Sequence, residues 1–153
     1  MLAARRSESR NQGDIVNYWL FKSEAETWSW DAQKKKGAAG EPWSGVRNHA
    51  AANNMKAMKT GDLGFFYHSG DERRIMGIVE VTGEYRPDPT DESGRFGLVD
   101  VKAVRDLAKP VTLAEIKATP ALKDMTLVKF SRLSVQPVSA HEWKLILKMG
   151  SGQ

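Results

Sequence analysis

The chain has 153 residues and no cysteine, a formal net charge of +4 and a sequence pI of about 9.4. This length suits one domain with a tail, and the lack of cysteine excludes disulfides, thiolate chemistry and cysteine metal sites. No apolar run approaches the roughly 20 residues that span a bilayer, so we expect no membrane association and, by default, a cytoplasmic protein. The net positive charge is compatible with a nucleic-acid partner but does not by itself indicate one.

Composition divides the chain into a short leader, one domain and a tail. Residues 1–16 are rich in Arg, Ser, Asn and Gln and have little to bury, which predicts a disordered leader. They contain no apolar stretch of the kind that a signal peptide needs. We expect the folded domain to occupy residues 17–150, with residues 151–153 as a tail.

Aromatic residues dominate the first predicted elements. Residues 17–22 are apolar and aromatic, which predicts a buried first strand. Ser23 and Glu26 have the spacing of a capping box, so we expect a turn to start there. Trp28 and Trp30 then lie in a segment that we expect to form a short helical turn.

The next segment has helical periodicity. Within residues 48–58, Ala51, Met55 and Met58 recur at the spacing of one apolar helical stripe. Such a stripe is more typical of a core-facing surface than of a cofactor site. The Gly-Asp pair at 61–62 predicts a turn that ends this segment.

Two apolar runs then predict a hairpin. Residues 63–68 and 75–82 flank a polar, basic tip, a pattern typical of two antiparallel strands. Proline cannot donate a hydrogen bond to a central strand, so Pro87 and Pro89 predict a long loop over residues 85–94.

The last third predicts short strands and two capped helices. Apolar residues alternate over 98–104, which indicates a strand, and Thr112 with Glu115 forms a capping box that predicts a helix start. We expect one or two strands within 125–138, and a final helix after a second capping box at Ser139. We assign a structural role to three residues of this segment: Arg132, Leu133 and Gln136.

These elements predict an α+β fold. Five or six short, mostly antiparallel strands with short helices in the connections are typical of a small β-barrel or a curled sheet. Because side chains fill the interior of so small a barrel, we expect a ligand site on the rim, in the loops.

The sequence gives little support to an enzyme. His49, His68 and His141 lie in three separate contexts with no metal-ligand spacing, and no phosphate-binding loop or nucleophile elbow is present. Neighbouring strand residues point to opposite faces, so His68 and Ser69 do not form a base and a nucleophile. We therefore expect no catalytic residue, metal or cofactor.

A binding site on the rim is one of two interpretations of the strand ends. Residues 22–24 end the first strand, residues 67–69 end the second, and Trp43 lies in the connection between them. An indole with polar groups around it would suit a planar base. The alternative is that Trp43 is a core residue and the polar groups are ordinary surface residues. Spacing alone leaves both open.

Several motifs, in a constant order, resemble the EVE domain family. That family belongs to the PUA-like group, includes proteins of the thymocyte nuclear protein type, and is related to YTH domains. The matching stretches cover nearly all of the chain after the leader. They include 18–24 (YWLFKSE), 43–48 (WSGVRN), 61–69 (GDLGFFYHS), 77–81 (GIVEV) and 132–138 (RLSVQPV).

The resemblance implies a PUA-like barrel and a non-catalytic reader of nucleic acid, with modified cytosine in DNA as the favoured ligand. Trp43 falls where a cage Trp of the related YTH domains lies. We hypothesise that the base-binding residues are Trp43, Lys22, Ser23, Tyr67, His68, Ser69 and Asn48, and that the phosphate-binding residues are Arg47, Arg73 and Arg74.

Other functions remain open on the sequence. An RNA-binding module that recognises modified RNA would use the same basic rim. An enzyme acting on a nucleotide-type small molecule and a plain protein-interaction module are further alternatives. We expect the protein to be a monomer.

Overall fold

The computed structural model describes residues 16–152, so the expected leader lies almost wholly outside the described residues. The strands are β1 Tyr18–Glu24, β2 Glu41–Pro42, β3 Leu63–Ser69, β4 Arg74–Pro87, β5 Gly97–Thr112 and β6 Val135–Val138. The helices are α1 Trp30–Lys35, α2 His49–Ala57, α3 Leu113–Lys117, α4 Thr126–Lys129 and α5 Ala140–Met149. Short 3-10 turns occupy Gly37–Ala39 and Pro120–Leu122.

The six strands form one mixed sheet in the order β2-β5-β4-β3-β1-β6. All neighbouring pairs are antiparallel except β1 and β3, which are parallel. The predicted α+β class is confirmed. The sheet is not closed into a barrel, because β2 and β6 are its two edges. It is strongly curled instead: Trp43, which follows β2, packs against Phe21 of β1 with ring centroids 5.2 Å apart.

Alternation along the strands divides the core between the two faces of the sheet. Trp19 and Phe21 of β1 point to the face that α2 covers through Met55, here called the inner face, whose side chains form the inner core. Leu20 points to the opposite, outer face, which α3, α4 and α5 cover and whose side chains form the outer core. This arrangement follows from the period of two along a strand, which sends neighbouring side chains to opposite faces.

The predicted helix starts are confirmed where capping chemistry supports them. Asn48 caps α2 by accepting a hydrogen bond from the Ala51 backbone N–H at 2.8 Å. Complete capping boxes begin α3 at Thr112 and α5 at Ser139. The predicted stripe on α2 is buried.

Two sequence predictions are corrected. The capping box at Ser23 is wrong, because Ser23 lies in β1 and the nearest helix is capped by Ser29. The loop predicted over residues 85–94 begins only after Pro87, because Pro87 is the last residue of β4. The prediction of one or two strands within residues 125–138 is confirmed by β6, and the same segment also holds the helix α4, which the sequence did not predict.

Candidate functional site

A cleft of about 610 Å³ opens where β1 ends. Its walls come from the end of β1 and the following turn, from the loop after β2, and from the segment before β6. The lining residues are Lys22, Ser23, Glu24, Thr27, Trp28, Glu41, Pro42, Trp43, Ser44, Gly45, Val46, Arg47, Ser69, Ser131, Arg132 and Ser134. Aromatic, hydroxyl and charged groups of both signs therefore meet in one concave site.

Parallel pairing of β1 and β3 brings two strand ends together at this cleft. Ser23 pairs with His68 and Glu24 with Ser69, so the C-terminal ends of both strands lie side by side. Ser23 and Ser69 line the cleft. The predicted convergence of these strand ends is therefore present in the fold.

Trp43 is both a core residue and a wall of the cleft. Its backbone N–H donates to the Val99 carbonyl at 2.8 Å, which fixes the loop after β2 to β5. Its ring packs edge-on against Phe21 and Phe66, at centroid distances of 5.2 and 5.6 Å. Only 7% of the residue is exposed. Trp43 is thus a core residue whose packing fixes the indole where it borders the cleft, and its role in binding stays a prediction.

A second indole, Trp28, lines the same cleft. The turn after β1 presents it: the Ser23 hydroxyl donates to the Trp28 carbonyl at 2.8 Å, and Trp28 Nε1 donates to Gln33 Oε1 at 2.8 Å. Trp28 is not among the residues predicted to bind a base, because a Trp just before a short helix has no distinctive sequence pattern. Its proximity in sequence to the strand end was the available signal.

A buried carboxylate holds the loop wall in place. Asp88 Oδ2 accepts hydrogen bonds from the Gly45 backbone N–H at 2.8 Å and from Arg47 Nη1 at 3.1 Å, while Oδ1 accepts from Thr90. Burial raises the pKa of Asp88, but the hydrogen bonds from Thr90, Gly45 and Arg47 outweigh it and lower the pKa to about 2. Arg47 is therefore a structural partner of Asp88 as well as a cation at the cleft.

Lys22 ties two walls of the cleft together. Its Nζ donates to the Ser131 carbonyl at 2.6 Å and lies 5.8 Å from the centroid of the Tyr67 ring. Burial lowers the pKa of this lysine. Lys22 thus links the end of β1 to the segment before β6.

Two residues predicted to bind a base lie outside the cleft lining. The Tyr67 ring is buried in the outer core, where burial raises the pKa of its hydroxyl to about 12. His68 Nε2 accepts from the Trp30 backbone N–H at 2.9 Å, and Nδ1 lies 2.8 Å from Glu72 Oε1. Both ring nitrogens of His68 are therefore engaged within the protein.

Three further residues that were predicted to contact the ligand also lie outside the lining of the large cleft. Asn48 caps α2 and lines a smaller neighbouring cleft instead. Arg73 and Arg74 belong to the β3–β4 hairpin and do not line the large cleft, and Arg74 pairs with Glu72 at 3.4 Å. No contact with nucleic acid tests these residues, so their roles stay predictions.

The segment before β6 contributes groups that the sequence analysis missed. Arg132, to which we had assigned a structural role, lines the cleft together with Ser131 and Ser134. Leu133 does pack against the inner core, and Gln136 is buried with Nε2 donating to the Leu133 carbonyl at 2.8 Å. Only the tertiary fold brings this segment beside β1, which explains the omission.

Two other kinds of site find no support in residues 16–152. Within this range no helix has the length and apolar character needed to cross a membrane. The same range holds no group of three or more His, Asp or Glu side chains suited to a metal ion.

Comparison with known proteins confirms the resemblance to EVE domains. Residues 17–149 match the family model described as EVE domain. The NMR structure of Rpa0253 from Rhodopseudomonas palustris is 60% identical and covers 88% of this chain and 93% of its own, with a TM-score of 0.84. Human thymocyte nuclear protein 1 is 32% identical, and the match covers 89% of this chain and 75% of the relative.

Two similar structures contain modified nucleic acid. Human THYN1, solved in complex with 5-methylcytosine containing DNA, is 30% identical and covers 90% of this chain and 99% of its own, with a TM-score of 0.85. The YTH domain of Zygosaccharomyces rouxii MRB1, solved with N6-methyladenosine RNA, is 25% identical and covers 90% of this chain and 86% of its own, with a TM-score of 0.53. On the match to residues 17–149, the chain belongs to the EVE domain family.

Proposed function

We propose that this protein is a non-catalytic reader of modified DNA that takes a modified cytosine into the cleft at the end of β1. The observation that carries the proposal is the pair of indoles, Trp28 and Trp43, on the walls of one cleft that also contains hydroxyls and cations. The THYN1 complex with 5-methylcytosine containing DNA, a relative with a TM-score of 0.85, supports the same ligand class.

The cleft has groups for each part of a cytosine nucleotide. Stacking on an indole suits any base, and the Glu24 carboxylate can accept a hydrogen bond from the cytosine amino group. Pro42 and Val46 give the lining apolar surface where a 5-methyl group could pack. Arg132 and Arg47 would face the phosphates.

Energetics limit the selectivity of such a reader. Rotating a base out of a duplex costs a few kcal/mol, and stacking returns about 1–3 kcal/mol per base. A methyl group in a fitted apolar pocket adds about 1–3 kcal/mol. We therefore expect modest discrimination between modified and plain DNA, and tighter binding when the base is already unpaired.

Fluorescence anisotropy with matched oligonucleotides tests the proposal. The oligonucleotides carry cytosine, 5-methylcytosine or 5-hydroxymethylcytosine at one position, at a fixed moderate salt concentration. We expect one modified form to bind about 10- to 100-fold more tightly than cytosine. Trp28→Ala should remove this preference, because it deletes one wall of the cleft.

Trp43 needs a matched control, because it also stabilises the core. Trp43→Phe should weaken binding of the modified DNA, whereas Trp143→Phe should leave binding unchanged. Trp143 is also buried, but it packs on the outer face against Phe65. Equal binding of all oligonucleotides by the wild type, insensitive to both cleft indoles, would rule out this function.

Methylated RNA is the second candidate ligand. The likeness to the YTH domain solved with N6-methyladenosine RNA favours it. Competition between modified RNA and modified DNA of the same length separates the two ligands. A stronger competitor among the RNA strands would reassign the cleft to RNA.

A nucleotide-type enzyme receives less support from the geometry. His68, which lies near the end of β3 and next to the cleft residue Ser69, has both ring nitrogens engaged by Trp30 and Glu72. A turnover activity abolished by His68→Ala would nevertheless revive that alternative.

A further inference from the structure

Phe130 is an exposed aromatic ring beside the cleft. It is 60% exposed, and the only other large hydrophobic residue exposed within the described part of the chain is Val104, at 44%. A single exposed apolar residue is ordinary on a protein surface. Phe130 differs from an ordinary exposed residue in two ways: its backbone is fixed by hydrogen bonds, and it lies beside a cleft.

The backbone around Phe130 is held by hydrogen bonds. Its N–H donates to the Thr126 carbonyl at 2.8 Å, at the end of α4. Its carbonyl accepts from the Leu133 N–H at 3.1 Å and from the buried Gln136 amide at 3.4 Å. Lys22 binds the carbonyl of the next residue, Ser131. These hydrogen bonds fix the turn that carries Phe130, which lowers the conformational entropy lost when a ligand binds.

A smaller cleft of about 330 Å³ lies under Phe130 and adjoins the large cleft. Its lining residues are Asn48, Ala50, Phe130, Ser131, Arg132 and Leu133. Ser131 and Arg132 line both clefts. The two sites are thus continuous along the segment before β6.

The chemistry of this smaller cleft suits a nucleotide. Arg132 makes no ion pair within the described residues and can face a phosphate that joins two nucleotides. Asn48 Oδ1 caps α2, which leaves its amide N–H groups to donate to a base edge. An exposed aromatic ring beside a cation is typical of sites that bind single-stranded nucleic acid.

We propose that Phe130 stacks on the base next to the one held in the large cleft, so that the protein binds a dinucleotide step. This inference rests on the proposed function. It adds a second subsite, in which the flanking base replaces its lost stacking partner with the Phe130 ring. In a duplex, the same ring would fill the gap that the rotated base leaves.

Substitutions at Phe130 test the stacking role. Phe130→Ala should weaken binding of a single-stranded DNA ten nucleotides long, with one central 5-methylcytosine, by roughly 5- to 150-fold, which is the loss of one base–aromatic stack. Phe130→Trp should bind as the wild type, and Phe130→Leu should bind as weakly as Phe130→Ala. Val104→Ala is the matched control, since it removes another exposed apolar side chain. Thermal unfolding of all four variants should match the wild type, because both residues are exposed.

An abasic substitution identifies the base that Phe130 contacts. The nucleotide on the 5′ or the 3′ side of the modified cytosine is replaced in turn by an abasic site. At one of these positions we expect the wild type to lose about as much affinity as Phe130→Ala loses on the complete strand. Phe130→Ala should lose nothing further on that abasic strand, because the partner of the ring is already missing.

The free nucleotide 5-methyl-dCMP separates this inference from the proposed function. It occupies only the large cleft, so the wild type and Phe130→Ala should bind it equally. If the wild type binds the modified strand and Phe130→Ala binds it with the same affinity, the flanking-base subsite is refuted and the reader function stands. If the wild type binds neither the strand nor the nucleotide, both proposals fall.

Discussion

At the scale of single residues, Asp88 is the group on which the shape of the cleft depends most. Its buried carboxylate joins the loop that carries Trp43 to the loop after β4, through Gly45, Arg47 and Thr90. Four hydrogen bonds to one ionised group are strong only while that group stays charged. The position of the loop that carries Trp43 should therefore depend on pH.

Stability should depend on pH through Asp88. Its folded-state pKa of about 2 lies below the ordinary value of 3.8, so its contribution is complete above pH ~4 and is lost as the pH falls toward 2. The shift corresponds to about 2 kcal/mol. Asp88→Asn should lower the free energy of unfolding by about that amount at pH 7 and flatten the acid limb of the stability profile. Urea unfolding between pH 7 and pH 2.5 measures both effects.

Asp124→Asn is the control for this experiment. The Asp124 carboxylate pairs with Lys129 at 3.2 Å, but it is 70% exposed, so its loss should cost less than about 1 kcal/mol. Equal pH profiles for Asp88→Asn and the wild type would show that Asp88 does not hold the loop.

At this scale the sequence indicated the place of Trp43 beside the cleft but not the hydrogen-bond partners of His68. An indole after Pro42 in an irregular segment is visible in the sequence, and it does border the cleft. The partners of His68 are not visible there, because Trp30 lies 38 residues away in the chain. Hydrogen bonds between distant segments decide which polar group is available to a ligand.

At the scale of elements, local chemistry was the most predictive part of the sequence. Capping boxes at Thr112 and Ser139 placed the starts of α3 and α5 correctly, because their partners lie within four residues. α4 was missed, since a helix of only four residues has no periodicity to detect. Arg132, between α4 and β6, lines the cleft, and the sequence has no local signal for this because only the tertiary fold brings that segment beside β1.

The cap at Ser139 gives an element-scale prediction. Ser139→Ala should lower the free energy of unfolding by about 1 kcal/mol, because the Glu142 N–H at the start of α5 loses its acceptor. Urea unfolding at pH 7 measures the change, with an unaltered dependence on urea concentration. Ser139→Asp keeps a capping oxygen and should remain within a few tenths of a kcal/mol of the wild type. If both variants lowered the free energy of unfolding equally, the loss would not come from the capping hydrogen bond.

At the scale of the whole molecule, the curl of the sheet creates the site. β2 and β1 are separated by three strands in the sheet, yet the loop after β2 and the end of β1 line one cleft. The sequence predicted the α+β class, because that class follows from the number of strands and the short helices in their connections. It did not predict the open edges β2 and β6, since closure depends on register and twist across all six strands.

The net charge of +4 makes salt dependence a whole-molecule prediction. Affinity for DNA should fall as salt rises, with a slope set by the number of phosphates contacted. Arg132→Ala should reduce the magnitude of that slope by about 1, because its side chain lines both clefts. Arg105→Ala, at an exposed position on β5 that lines neither cleft, should leave the slope unchanged. Identical slopes for both variants would indicate a diffuse basic surface instead of a defined site.

The central claim is that a modified base enters between the walls that carry Trp28 and Trp43. NMR of the indole N–H groups tests it most directly, since the chain has five Trp and Trp→Phe variants assign each signal. Titration with a strand carrying the modified cytosine should shift the Trp28 and Trp43 signals saturably and leave the Trp143 signal, on the outer face, unmoved. Saturable binding that leaves both cleft indoles unshifted would contradict the account and move the site to another surface.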